Sequence, residues 1–159
     1  MKTAVVYYSM SGNTARIAEE IAKRVNADLI RLVPQKAYPD KGFKKFLWGG
    51  KSALMGDRPA LEAYDFADEY DLVVLGAPVW AGTFAPPIRT FLSENNGKLS
   101  SSRFASFVCL GGKNAGKTFE KLKKELPSPD FVATESFSDE EDESVIAKKL
   151  DDFCKKISE

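Results

Sequence analysis

Short β-type runs and helical patterns take turns along this chain, and that alternation fixes the class of fold before any single residue is considered. Thr3 to Tyr8, Asp28 to Val33, Leu72 to Gly76, Phe104 to Leu110 and Phe131 to Phe137 are stretches of strand length. Between them, apolar residues recur every three or four positions, the spacing of one helix face. Ile17, Ile21 and Val25 with Ala18 and Ala22 form the first such face; Ile146, Leu150, Phe153, Cys154 and Ile157 form the last. Strands that alternate with helices pair in parallel, with helices covering both sides of the sheet. Leu72-Val73-Val74-Leu75 is apolar throughout, as a central strand requires, whereas Asp28 to Val33 carries Arg31, as an edge strand does. The expected fold is α/β: a three-layer sandwich around a five-stranded parallel sheet.

Punctuation marks the remaining helices. Pro86-Pro87 opens one whose Ile88, Phe91 and Leu92 share a face, and Asn95-Asn96-Gly97 closes it. Ala115 to Leu126 carries Phe119, Leu122 and Leu126 on one side, and Ser138 with Glu141 matches a capping box before the last helix. Residues 34 to 64, broken by glycines and prolines, are the least regular part. There Phe43, Phe46 and Leu47 suggest a short helix from near Lys41 that weakens at Gly49-Gly50.

At 159 residues, 43% of them hydrophobic, the chain suits one domain over residues 1–159. It lacks the run of about 20 apolar residues that a bilayer span needs, and no signal-like segment opens it, so it is expected to be soluble and cytoplasmic. Cys109 and Cys154 lie far apart without metal-ligand spacing and read as small buried apolar residues. The chain has no histidine. That removes Ser-His-Asp and Cys-His arrangements, imidazole metal ligands and the usual near-neutral proton shuttle. No catalytic side chain and no metal ligand is therefore assigned, and redox chemistry would rest on a bound cofactor. The basic excess before residue 60 and the acidic run Asp139-Glu140-Glu141-Asp142-Glu143 read as solvated surface, with no nucleic-acid partner and no membrane insertion implied.

The chemistry-bearing feature is the turn after the first strand, Ser9-Met10-Ser11-Gly12-Asn13-Thr14. Two serine hydroxyls, a threonine hydroxyl, an asparagine amide and the open N–H groups of a new helix converge where the helix dipole favours an anion. One such side chain suffices to cap a helix; four make a phosphate cradle. Gly111-Gly112-Lys113-Asn114-Ala115-Gly116-Lys117-Thr118 competes with it, since it satisfies GxxxxGK[ST] between a strand and a helix. A triphosphate site also wants a carboxylate at the end of another strand to help hold magnesium. The best buried strand instead runs out through Gly76-Ala77-Pro78, so a plain turn and a solvated helix start are favoured.

In a doubly wound sheet of order 2-1-3-4-5 the chain reverses direction between the first and third strands, and ligands bind beyond their carboxyl ends. The Ser9 to Thr14 turn and the Pro78 to Thr83 loop would meet there. Trp80, between proline and glycine, offers a broad aromatic face to a planar ring.

These motifs resemble the flavodoxin family, the type example of that strand order. The resemblance spans essentially the whole chain. It implies that Ser9, Met10, Ser11, Gly12, Asn13 and Thr14 form the FMN phosphate loop and that Pro78, Val79, Trp80, Ala81 and Gly82 border the isoalloxazine ring. Leu110, Gly111, Gly112 and Lys113 would supply a third wall. Many flavodoxins carry an aromatic residue in that wall and a strongly acidic surface, whereas this chain has glycines there and no net charge. Phe46 and Trp48 are substitutes for that aromatic, though packing is the plainer role for both. The expected function is low-potential, one-electron transfer between redox protein donors and acceptors. An NAD(P)H-dependent quinone or flavin reductase is the alternative, and a nucleotide-sensing module that docks through the basic Lys41 to Lys51 segment is a third.

Overall fold

The computed structural model describes residues 1–39, 50–66, 69–111, 115–127 and 130–159. Strands β1 (Thr3–Tyr7), β2 (Asp28–Arg31), β3 (Leu72–Trp80), β5 (Arg103–Cys109) and β6 (Phe131–Phe137) form a parallel sheet in the order β2-β1-β3-β5-β6. A two-residue strand, β4 (Thr83–Phe84), pairs antiparallel with the end of β3 and lies off this path. Without that hairpin strand the order is the expected 2-1-3-4-5.

The helices α1 (Asn13–Val25), α2 (Pro87–Glu94), α3 (Asn96–Leu99), α4 (Ala115–Lys123) and α5 (Glu143–Ser158) complete the described elements. Two cores form, one on each side of the sheet. Ile17, Ile21, Leu150 and Phe153 pack with Val5, Val74 and Phe107 on one side; Val6, Leu75, Phe84, Ile88, Phe91 and Phe104 pack on the other. Residues of β1 and β3 alternate between these cores because successive strand side chains point to opposite faces. Burying one Leu, Ile or Phe is worth about 1.5–3 kcal/mol, so these two layers hold the framework on which the strand ends are displayed.

Three expectations change. The third strand does not stop at Gly76: β3 continues through Pro78, Val79 and Trp80, so these residues belong to a strand end and not to a loop. The capping-box partners do meet, Ser138 N donating to Glu141 Oε1 at 2.7 Å, but they close a turn ahead of α5, which starts at Glu143 after Asp142. The helix proposed from Lys41 falls on residues outside those described, while residues 50–54 are helical, so Gly50, where that helix was expected to weaken, lies within a helix.

Gly76 is required where it stands. A Cβ there would overlap the ring of Phe107, which is fully buried on the neighbouring strand. The sheet is thereby drawn tight just before β3 enters the site.

Candidate functional site

β1 and β3 run side by side, and the register carries Tyr7 opposite Gly76; beyond it Tyr8 N donates to Gly76 O at 3.0 Å. Both strands then leave the sheet at the same end, where the order reverses, so their continuations start side by side, the position at which such sheets bind ligands.

From β1 comes the turn 8–12. Ser9 is buried and its Oγ accepts from Gly12 N at 3.1 Å, which folds the turn back on itself. Gly12 precedes α1 with φ 100° and ψ −13°, a conformation that L side chains resist. No side chain caps α1, so the first-turn N–H groups point outward without an intrahelical partner. Ser11 and Gly12 are exposed, and an added Cβ on Gly12 would meet nothing within 4 Å. That open donor set, at a positive helix end, fits a phosphate monoester.

The turn's other side chains are divided. Thr14 is buried, 2% exposed, with its hydroxyl close enough to the Cys109 thiol at the end of β5 to influence its ionisation. Burial first of all pushes that thiol up to about 11. Asn13 Nδ2 donates to Asp139 Oδ2 at 2.8 Å, Arg16 Nη1 pairs with Glu143 at 3.2 Å, and Arg31 Nη2 donates to Ser9 O at 3.4 Å. The acidic run thus reaches the rim of the cradle through two residues. Met10 is partly buried and packs against the core.

From β3 comes a hairpin that carries Trp80. Val79 pairs with Phe84 and Trp80 with Thr83, leaving Ala81 and Gly82 as a two-residue turn with φ 51° and 71°. Two consecutive positive φ values make a type I′ hairpin, whose twist matches its strands. At Ala81 the left-handed backbone costs about 1–2 kcal/mol relative to glycine, a cost the surrounding contacts offset. Lys121 Nζ, from α4, donates to Gly82 O at 3.2 Å, and a Cβ added to Gly50 would lie 3.5 Å from the Ala81 Cβ.

Trp80 is half-buried among tyrosines. Its ring meets Tyr8 edge-on at 5.6 Å between centroids and Tyr38 at 5.0 Å, and Tyr8 meets Tyr38 at 6.3 Å. Burial pushes the Tyr8 hydroxyl far up, and burial likewise raises that of Tyr38 despite its bond to Ser52 at 3.1 Å. Both stay neutral, so the aromatic wall carries no charge at physiological pH. Such a wall accepts the face or edge of a planar ring.

Gly111, exposed at the end of β5, borders the same edge, while Gly112, Lys113, Phe46 and Trp48 lie outside the described residues. Of the remaining site residues expected from the sequence, Ser9 to Thr14 follow β1, Pro78 to Gly82 form the end of β3 and its turn, and Gly111 follows β5, at the carboxyl ends of neighbouring strands. Tyr38, Arg31, Asp139 and Lys121 were not foreseen. Thr118 also answers the rival loop: it is fully buried, and its Oγ1 faces no partner and no solvent, so it is not placed to hold a solvated metal ion.

A family model described as Flavodoxin matches residues 2–152 of the chain. Among solved structures, a flavoprotein from Lactobacillus acidophilus, crystallised in complex with FMN, shares 26% identity at a TM-score of 0.73, covering 93% of this chain and 97% of that one. A provisionally named flavoprotein from Bacteroides eggerthii shares 27% identity at a TM-score of 0.67, with 96% and 97% covered. Oxidised flavodoxin 1 from Bacillus cereus shares the fold at 16% identity and a TM-score of 0.63, with 99% and 98% covered.

Proposed function

Because this chain belongs to the flavodoxin family, we propose that it is a one-electron carrier that works with bound FMN between redox protein donors and acceptors. When bound, FMN supplies the reversible redox chemistry, and the protein supplies position, shielding and charge. The exposed Ser11 hydroxyl and the open N–H groups at the start of α1 hold the phosphate. Ser9 and Gly12 shape that turn, and the Trp80 hairpin borders the ring. Tyr8 and Tyr38 brace Trp80 from behind by edge contacts, each worth about 0.5–1.5 kcal/mol.

One observation carries the reading. The uncapped start of α1 and the Trp80 hairpin emerge from neighbouring strands at the point where the sheet order reverses, which supports a shared site for an anion and a planar ring. The absence of histidine argues in the same direction, since it leaves no ordinary proton shuttle for turnover.

A reductase is the second reading, favoured by a cavity of about 1040 Å³ that Tyr38 lines together with Lys51, Asp57 and Arg58. That size admits a small acceptor beside the aromatic wall. FMN titration followed by stepwise reduction tests both readings. Saturable FMN uptake with two separated one-electron stages and no steady NAD(P)H consumption supports the carrier; sustained NAD(P)H-driven quinone reduction selects the reductase. No saturable uptake of FMN refutes both.

A further inference from the structure

On the flank of the β3–β4 hairpin lies a second, smaller cavity of about 210 Å³, lined by Ala53, Leu54, Thr83, Arg89, Lys121, Lys124 and Glu125. Its floor is the guanidinium of Arg89, whose side chain is only 10% exposed. This group stacks on the Phe84 ring at 4.7 Å and donates from Nε to Glu125 Oε1 at 3.1 Å. Its Nη1 is buried and has no hydrogen-bond partner.

Nη1 has essentially no accessible surface, so it marks a buried charge that Glu125 answers only in part, not a donor open to the cavity. Glu125 alone does not balance the lining, where three cations face one carboxylate. A doubly negative group matches the surplus, and arginine's planar fork suits the oxygens of a phosphate. The volume holds one such group with a few waters, each of which takes about 30 Å³.

We propose that the Arg89–Lys121–Lys124 cavity is a second anion site that takes a dianionic phosphate monoester, separate from the cradle at α1. Its residues come from β4, from α2, from α4 and its C-terminal turn, and from the 50–54 helix, so it adjoins the Trp80 hairpin through Thr83 but takes no residue from the cradle.

The test is a ¹H–¹⁵N titration of the full, FMN-treated chain at constant ionic strength, following the Thr83 and Gly82 amides and Arg89 Nε–H, with the Ser11 and Asn13 amides as the readout of the first cradle. Inorganic phosphate, NADP⁺ and NAD⁺ are the probes. A saturable shift at Thr83 and Arg89 with phosphate and NADP⁺ alike supports a site open to the free ion, and a response to NADP⁺ over both phosphate and NAD⁺ supports a site for the nucleotide's monoester. Lys124→Ala should weaken that response about tenfold, the loss of one charge-assisted hydrogen bond, while leaving the cradle amides unmoved. Arg89→Gln should abolish it; if that variant fails to fold, Lys124→Ala decides alone. No saturable shift with any probe, or a shift that Lys124→Ala leaves unchanged, overturns the site. A failure of FMN to bind shows instead at Ser11 and Asn13.

Discussion

Gly12→Ala isolates the backbone strain of the 8–12 turn from every steric effect within the chain itself. Nothing lies within 4 Å of the added methyl, so the cost arises from φ 100° alone. An L residue held in the left-handed region costs about 1–2 kcal/mol, and this φ lies well past the well near about +57°, which places the penalty at the top of that range. Two limits follow. A turn that keeps its shape passes the whole cost to folding, and the urea midpoint of the FMN-free chain falls accordingly. A turn that relaxes in the free chain keeps most of its stability, but FMN must then restore the strained shape, and 1–2 kcal/mol becomes an affinity loss of about five- to thirtyfold. The two losses together equal the strain whichever limit holds. Gly12→Asn should lose less than half as much, because asparagine tolerates this region. Riboflavin lacks the phosphate, so its affinity should change by less than twofold. Urea denaturation and quenching of flavin fluorescence measure both terms. A Gly12→Ala chain within about 0.5 kcal/mol of the parent in the two terms combined would refute the assignment of strain to Gly12.

Ser11→Ala should weaken FMN about tenfold, as expected for one hydrogen bond to a charged group, and leave riboflavin unchanged in the same titration; equal weakening of both would remove the phosphate role. Trp80→Ala should do the reverse, lowering the affinity for FMN and riboflavin together by about two- to tenfold through loss of the aromatic contact. Gly76→Ala should destabilise the fold by about 1–3 kcal/mol, and adding Phe107→Leu should recover part of that loss in a double-mutant cycle read by urea denaturation. Cys109, with its thiol at about 11 against an ordinary 9.0, holds about a hundredfold less thiolate at pH 8. Its alkylation by iodoacetamide should be slowed by about that factor in the folded chain. The rate should rise tenfold per pH unit up to about pH 11 and return to the free-thiol value in urea.

Periodicity made the framework legible. Every apolar residue assigned to the last helix face is buried in the structure, and the continuous run at Leu72 is indeed the centre of the sheet. The tip of β3 was harder to read because Pro78 and Gly82 look like strand breakers. Pro78 pairs with Cys109, the last residue of β5, where a missing N–H does little harm to the ladder, and Gly82 serves a hairpin turn. Ala81-Gly82 carries none of the Asn-Gly or Asp-Gly signals that announce a type I′ turn, so β4 left no trace in the sequence. Tyr38 reaches Trp80 from an irregular segment, a tertiary approach that no local spacing encodes. The acidic run is solvated surface as read, and within it the exposed Asp139 and Glu143 pair with Asn13 and Arg16.

β3 divides its labour along its own length. Its first six residues are buried within the sheet, and its last three, half-buried, project past it to carry Trp80. A substitution at the projecting end therefore touches few of the contacts that keep the chain folded. The surface offered by Val79, Trp80 and Ala81 can vary while Leu72 to Ala77 hold the scaffold constant. The strand acts as a fixed handle with an exchangeable blade, and libraries confined to the blade should yield folded variants at a far higher rate than libraries placed on the handle.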